Sequence, residues 1–134
     1  METDRTRLDF LTQKIIGCAF EVSNILGCGF LEKVYERALV QELITAGLNV
    51  QAQYPISVYY KGKSVGNFFA DIIVEKTILI ELKALKFLDN NHQAQCLNYL
   101  KASNLNLCLL INFGKPKVEI KRIVLNLPTN NTNR

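Results

Sequence analysis

The chain has 134 residues, 49% of them apolar and 21% charged, a composition that excludes a disordered or fibrous protein and suits one globular domain. Its formal charge of +4 permits a polyanionic partner but falls short of a dedicated DNA coat protein. No run approaches the roughly 18 apolar residues of a membrane span, and the charged opening Met1–Arg7 does not read as a secretory leader, so a soluble, cytoplasmic protein without a membrane partner is expected.

A single domain over residues 1–134 is predicted, with an ordered core over residues 8–125 and a flexible tail at 128–134. Leu8, Leu11, Ile15, Ala19, Val22 and Leu26 recur at steps of three and four, the period of an amphipathic helix, which Gly27-Cys28-Gly29 breaks. A second helix is predicted from Leu31 to Ala46, with Leu31, Val34 and Ala38 on its apolar face and Gly47 as a left-handed cap. Alternation over Val50–Tyr60 predicts a strand, and Pro55 marks it as an edge or bulged one. Lys61-Gly62-Lys63 turns the chain into a second strand, Ser64–Val74. Glu75-Lys76-Thr77 turns it into a third, Ile78–Ala84, apolar except at Glu81 and Lys83.

Asp89-Asn90-Asn91 offers N-caps for a helix over His92–Ala102, with Ala94, Leu97 and Leu100 on its apolar face. Leu107–Ile111 reads as a strand covered on both faces, Gly114-Lys115-Pro116 as a turn, and Val118–Leu125 as a last strand. The order ααβββαββ predicts an α/β (α+β) fold, a mixed central sheet with flanking helices.

The four cysteines, Cys18, Cys28, Cys96 and Cys108, form no C-x-x-C pair. His92 and Cys96 share a helical face, but structural zinc needs two further ligands, so free thiols in a reducing compartment are expected. His92 is the only histidine, no Ser or Cys has a nucleophile context, and no Gly-rich phosphate loop appears.

The informative pattern is Asp71, nine residues, then Glu81-Leu82-Lys83. Residues two apart on a strand share a face, so Glu81 and Lys83 project together from an otherwise apolar strand. Two charges there are costly unless paired or metal-bound. If Val74 pairs with Ile78 across the three-residue turn, Asp71 faces Glu81; a two-residue turn would break the match. Two carboxylates suit a hard divalent cation, Mg²⁺ or Mn²⁺, which activates water against a phosphodiester while a lysine stabilises the developing charge. A structural ion pair of Lys83 with Asp71 or Glu81 is the competing reading.

Two further segments add to the pattern. Glu32 and Glu36 lie one turn apart beside Tyr35, where a carboxylate joins the metal site or simply favours the helix N-terminus. Gln95 and Tyr99 also lie one turn apart, directed at the sheet edge or divided between solvent and core.

These segments resemble the GxxExxY family, small proteins placed in the PD-(D/E)XK nuclease superfamily. The motif is written Gly29-Phe30-Leu31-Glu32-Lys33-Val34-Tyr35. Leu26-Gly27, Ala38-Leu39, Phe69-Ala70-Asp71, Ile80-Glu81-Leu82-Lys83, Gln95–Leu100, Asn112-Phe113-Gly114 and Lys121-Arg122-Ile123 extend the likeness over residues 8–125. The resemblance implies a restriction-endonuclease-like core, with Asp71 and Glu81 as metal ligands and Lys83 as the catalytic lysine. It matches Glu32 to the superfamily's helical acidic motif, a further ligand. It matches Gln95 and Tyr99 to a Q-x-x-x-Y motif beside the active site and DNA. Cys28 stands where relatives often carry Pro.

The leading function is therefore Mg²⁺-dependent (or Mn²⁺-dependent) hydrolysis of nucleic acid, DNA first. Lys61, Lys63, Lys86, Lys101, Lys115, Lys117 and Lys121 are candidate phosphate contacts that matter where several cluster beside the carboxylates. A non-cutting nucleic-acid-binding module of the same fold is the second reading. A protein-interaction module or homodimer, docking through an apolar patch at Tyr54, Tyr59 and Tyr60, is the third.

Overall fold

The structure, a computed structural model, describes residues 4–127; the tail expected to be flexible lies outside the described residues. The elements are α1 (Asp4–Leu26), α2 (Glu32–Thr45), β1 (Val50–Tyr60), β2 (Lys63–Val74), β3 (Ile78–Lys83), α3 (Asn90–Ser103), β4 (Leu107–Asn112) and β5 (Glu119–Val124), the predicted order. They build one five-stranded sheet in the order β1-β2-β3-β4-β5. Only β3 and β4 run parallel, because α3 carries the chain back between them; the other neighbours are antiparallel. Pro55, which cannot donate to a ladder, lies as expected on the edge strand β1.

The sheet is covered on both faces. Ile78, Ile80 and Leu82 of β3 and Leu107, Leu109 and Ile111 of β4 pack with α1 and α2. The alternate residues Leu79, Cys108 and Leu110 pack with α3. This two-sided burial explains the continuous apolar runs in β3 and β4. No helix among the described residues is long and apolar enough to cross a membrane.

Both shorter helices are rotated from their predicted faces. In α2 the buried side is Tyr35, Leu39 and Leu43, whereas Leu31 is 80% exposed and Val34 is exposed. Apolar residues occupy two adjacent stripes of this helix, and periodicity cannot choose between them. Tyr35 decides it: its ring stacks on Phe113 with centroids 4.8 Å apart, and its hydroxyl donates to the Gly27 carbonyl at 2.7 Å. In α3 the buried side is Cys96, Tyr99 and Leu100, so Leu100 is buried as predicted, while Ala94 is exposed and Leu97 half-buried.

The helix ends follow their sequence signals. Gly47 (φ 87°) closes α2 as predicted: its N–H bonds the Ile44 carbonyl and the Leu48 N–H bonds the Leu43 carbonyl, both at about 3 Å. Asp89 caps α3 by accepting from the Asn91 N–H at 2.8 Å, and His92 Nδ1 accepts from the Asp89 N–H at 3.1 Å. His92 is thereby a capping residue. Cys96 and Cys108 are buried free thiols, and no three His, Cys, Asp or Glu among the described residues stand together at ligand spacing.

Candidate active site

The site is built where β2 and β3 part. Their ladder pairs Val74 with Ile78, Ile73 with Leu79 and Ile72 with Ile80. This is the register that the three-residue turn demands, and Glu75 and Lys76 make the turn with left-handed φ of 52° and 53°. The next pair in that register is Asp71 and Glu81. There the carboxylates replace the ladder: the Asp71 N–H donates to Glu81 Oε1 at 3.0 Å, and the Leu82 N–H donates to Asp71 Oδ2 at 2.7 Å.

The neighbouring strand is distorted at the same level. Gln53 of β1 has φ 54°, a conformation L-residues rarely adopt within a strand. The β1–β2 pairing passes from Ala52–Ile72 to Tyr54–Ala70, skipping Gln53 and Asp71. Val50, Ile72 and Val74 pack on the α1/α2 side, whereas Tyr54, Ile56 and Ala70 pack with α3. Both strands thus turn over at Gln53 and Asp71. Strain of this kind concentrates at functional sites.

Glu81 is 5% exposed, and burial together with the Asp71 charge pushes its carboxyl up to about 8, against the opposing Asp71 N–H bond and Lys83. Burial also raises Asp71; the Leu82 N–H opposes this and the Glu36 charge adds to it. Glu32, on the exposed first turn of α2, is raised by partial desolvation and by Asp71, with Lys83 opposing. The Lys83 ammonium forms no hydrogen bond or ion pair among the described residues. The structural ion pair that competed with the metal-site reading is therefore not formed.

From α3, Gln95 Nε2 donates to the Tyr99 hydroxyl at 3.0 Å. Burial and the Glu81 charge raise the Tyr99 phenol, with the Gln95 bond opposing and Asp71 contributing; Tyr99 shares a buried cluster with Ala70, the residue before Asp71. Among the candidate residues, Asp71, Glu81 and Lys83 thus meet at the opening of the hairpin, Glu32 faces Asp71 electrostatically from α2, and Tyr99 does so from α3. The lysines divide: Lys115 pairs with Glu119 at 3.9 Å, and Lys101 lines a groove beside α3.

Four further residues shape this region, in ways that sequence reasoning did not assign. Glu36 is 7% exposed, pairs with Lys33 at 3.1 Å and accepts from Gln53 Nε2 at 3.0 Å. Its one signal was its place a turn after Glu32, and the Gln53 kink had none. Asn112, fully buried, accepts from the Leu85 N–H at 2.9 Å and the Gly114 N–H at 3.0 Å and donates to the Leu85 carbonyl at 2.9 Å. It anchors the segment that leaves β3 just after Lys83. Gly114 packs against that segment, and its traces in the sequence were the text Asn112-Phe113-Gly114 and the turn Gly114-Lys115-Pro116.

The donor chemistry suits a hard divalent cation. Asp71 Oδ1 and Glu81 Oε2 have no hydrogen-bond partner among the described residues, and a buried carboxyl held near 8 lacks a compensating positive charge. As the side chains rest, no three His, Cys, Asp or Glu among the described residues stand together at ligand spacing, so Glu32 would have to move toward the other two.

The fold is shared with known structures. The chain superposes on the crystal structure of a protein called SSO0001 with a TM-score of 0.57 and 20% identity, covering 92% of this chain and 62% of that one. The chain thus spans under two thirds of that protein's length. It also superposes on an alkaline exonuclease (LHK-Exo) from Laribacter hongkongensis with a TM-score of 0.53 and 14% identity, covering 94% of this chain and 73% of that one. No curated protein matches it in sequence. A family model does: that of the PD-(D/E)XK nuclease superfamily matches residues 9–123, and the chain belongs to that superfamily.

Proposed function

We propose that the protein is a divalent-metal-dependent nuclease that hydrolyses DNA phosphodiester bonds, from the GxxExxY branch of its superfamily. The observation that carries this reading is the meeting of Asp71 and Glu81 where the β2–β3 ladder ends, beside a Lys83 ammonium that no structural ion pair consumes. Superfamily membership and the exonuclease neighbour support it.

Asp71 and Glu81 are the residues that would hold Mg²⁺ or Mn²⁺, with Glu32 as a third carboxylate from α2. Such a cation, when bound, polarises the scissile phosphate and lowers the pKa of its water. Lys83 orients the attacking water and offsets negative charge developing on the phosphorane oxygens. Gln95 holds the Tyr99 hydroxyl in one orientation. Asn112 fixes the backbone beyond Lys83, so that the lysine departs from a rigid strand end.

A non-cutting nucleic-acid binder is the second reading, favoured by the lack of three acidic side chains already at ligand spacing among the described residues. Titration of Mg²⁺ and Mn²⁺ into the wild type and Asp71→Ala, with assays on single- and double-stranded DNA, separates the two. Cleavage that requires the cation and is lost in Asp71→Ala supports the nuclease. Cation binding without cleavage supports the binder.

A further inference from the structure

An open groove of about 750 Å³ runs between α3 and the β1–β2 hairpin, within the size range of ligand sites. Its hairpin wall carries Tyr59 and Phe68, 67% and 44% exposed. Its α3 wall carries Gln95, Asn98, Tyr99 and Lys101. Phe68 and Tyr99 join the two walls by ring contact, with centroids 5.7 Å apart and planes tilted by 42°.

Three features define what fits. Large aromatic rings face the groove, and leaving them in water is unfavourable unless a flat apolar partner covers them. The amides of Gln95 and Asn98 supply donors and acceptors suited to base edges. The lining holds no carboxylate, and Lys101 is its one charged residue. A duplex presents its charged backbone outward and needs several cations, which this lining does not offer. An unpaired strand presents base faces for stacking and one line of phosphates. The groove lies toward the candidate active site, because its Tyr99 shares a buried cluster with Ala70, the residue before Asp71.

We propose that this groove binds single-stranded DNA, with unpaired bases stacked on Tyr59 and Phe68 and a phosphate met by Lys101, and that it leads the strand to Asp71, Glu81 and Lys83. The inference rests on the DNA-cleavage reading for its choice of polymer and narrows that reading to unpaired strands.

The test is fluorescence anisotropy of the full chain, in EDTA so that no cleavage intrudes, with a labelled oligothymidylate of about 12 nucleotides. The oligothymidylate should bind at least about tenfold more tightly than a duplex or an oligouridylate of equal length. Tyr59→Ala and Lys101→Glu should each weaken binding by about tenfold, whereas Tyr59→Phe, which keeps the ring, should bind as the wild type does. Both positions are exposed, and circular dichroism verifies that the variants are folded. Equal affinities for wild type and both variants, or a duplex or oligouridylate bound as tightly, would overturn the proposal.

The same proteins are then supplied with Mg²⁺ and Mn²⁺. Groove-dependent binding without cleavage would uphold the groove and overturn the nuclease reading. Cleavage by a protein whose groove variants bind unchanged would do the reverse.

Discussion

Gly114 lies back to back with Leu85, so close that a β-carbon at position 114 would overlap the Leu85 backbone nitrogen and oxygen and sit 2.6 Å from the Ala84 carbonyl carbon. All three are backbone atoms, which cannot swing aside as a side-chain end can. Gly114→Ala should therefore cost about 3 kcal/mol, and Asn112→Ala about 2 kcal/mol through the polar groups it strands. Urea unfolding measures both. A midpoint unchanged by Gly114→Ala would mean that the segment after Lys83 is not held as described.

Tyr35 links the glycine loop to the sheet. Its hydroxyl donates to the Gly27 carbonyl at 2.7 Å and accepts from the Phe30 N–H at 3.2 Å, while its ring lies 2° from parallel with Phe113. Tyr35→Phe keeps the stack and removes both hydrogen bonds, for an expected loss of about 1–2 kcal/mol. Hydrogen exchange should accelerate at residues 27–31, just before Glu32. Unchanged exchange there would show that the hydroxyl does not hold the loop.

Substitution of Lys83 tests its proposed catalytic role apart from stability. Because its ammonium holds no ion pair among the described residues, Lys83→Ala should change folding stability by less than about 1 kcal/mol. Cleavage should fall by about 10²–10³-fold if the lysine stabilises the transition state. Large destabilisation with activity retained would restore the structural role.

Glu81 sets a pH dependence of known sign. Its folded carboxyl is held up to about 8 against an ordinary value of 4.5. Between those values the folded chain binds a proton that the unfolded chain does not, so stability falls as pH rises from about 5 through 8. Asp71 and Glu32, both raised, act in the same direction. In EDTA the melting temperature should decline across this window, and Glu81→Gln should flatten most of the decline. Mg²⁺ or Mn²⁺ should restore stability most at the alkaline end. Parallel declines in wild type and Glu81→Gln would assign the effect to other groups.

Side chains on a strand alternate with period two, so the sequence made the opposition of Asp71 to Glu81 conditional on a three-residue turn, and the Val74–Ile78 pair supplies that turn. Element order and the Gly47 and Asp89 caps were legible for the same reason: they follow from local periodicity and local hydrogen bonding. The rotation of a helix about its own axis does not. Leu31 and Val34 were as plausible a buried stripe as Tyr35 and Leu39 until Phe113, far along the chain, was seen to stack on Tyr35.

What the sequence by itself determined is thus the ααβββαββ framework and the shared face of Glu81 and Lys83, with Asp71 opposite Glu81 given a three-residue turn, all consequences of short-range geometry. The tertiary structure alone decided that Glu36 is buried against Gln53, that β1 and β2 turn over at the acidic pair, that Asn112 and Gly114 clamp Leu85, and that Tyr59 and Phe68 open a groove onto Tyr99. Each joins residues from separate elements, and their closeness comes from how apolar faces pack against one another, which no local spacing records.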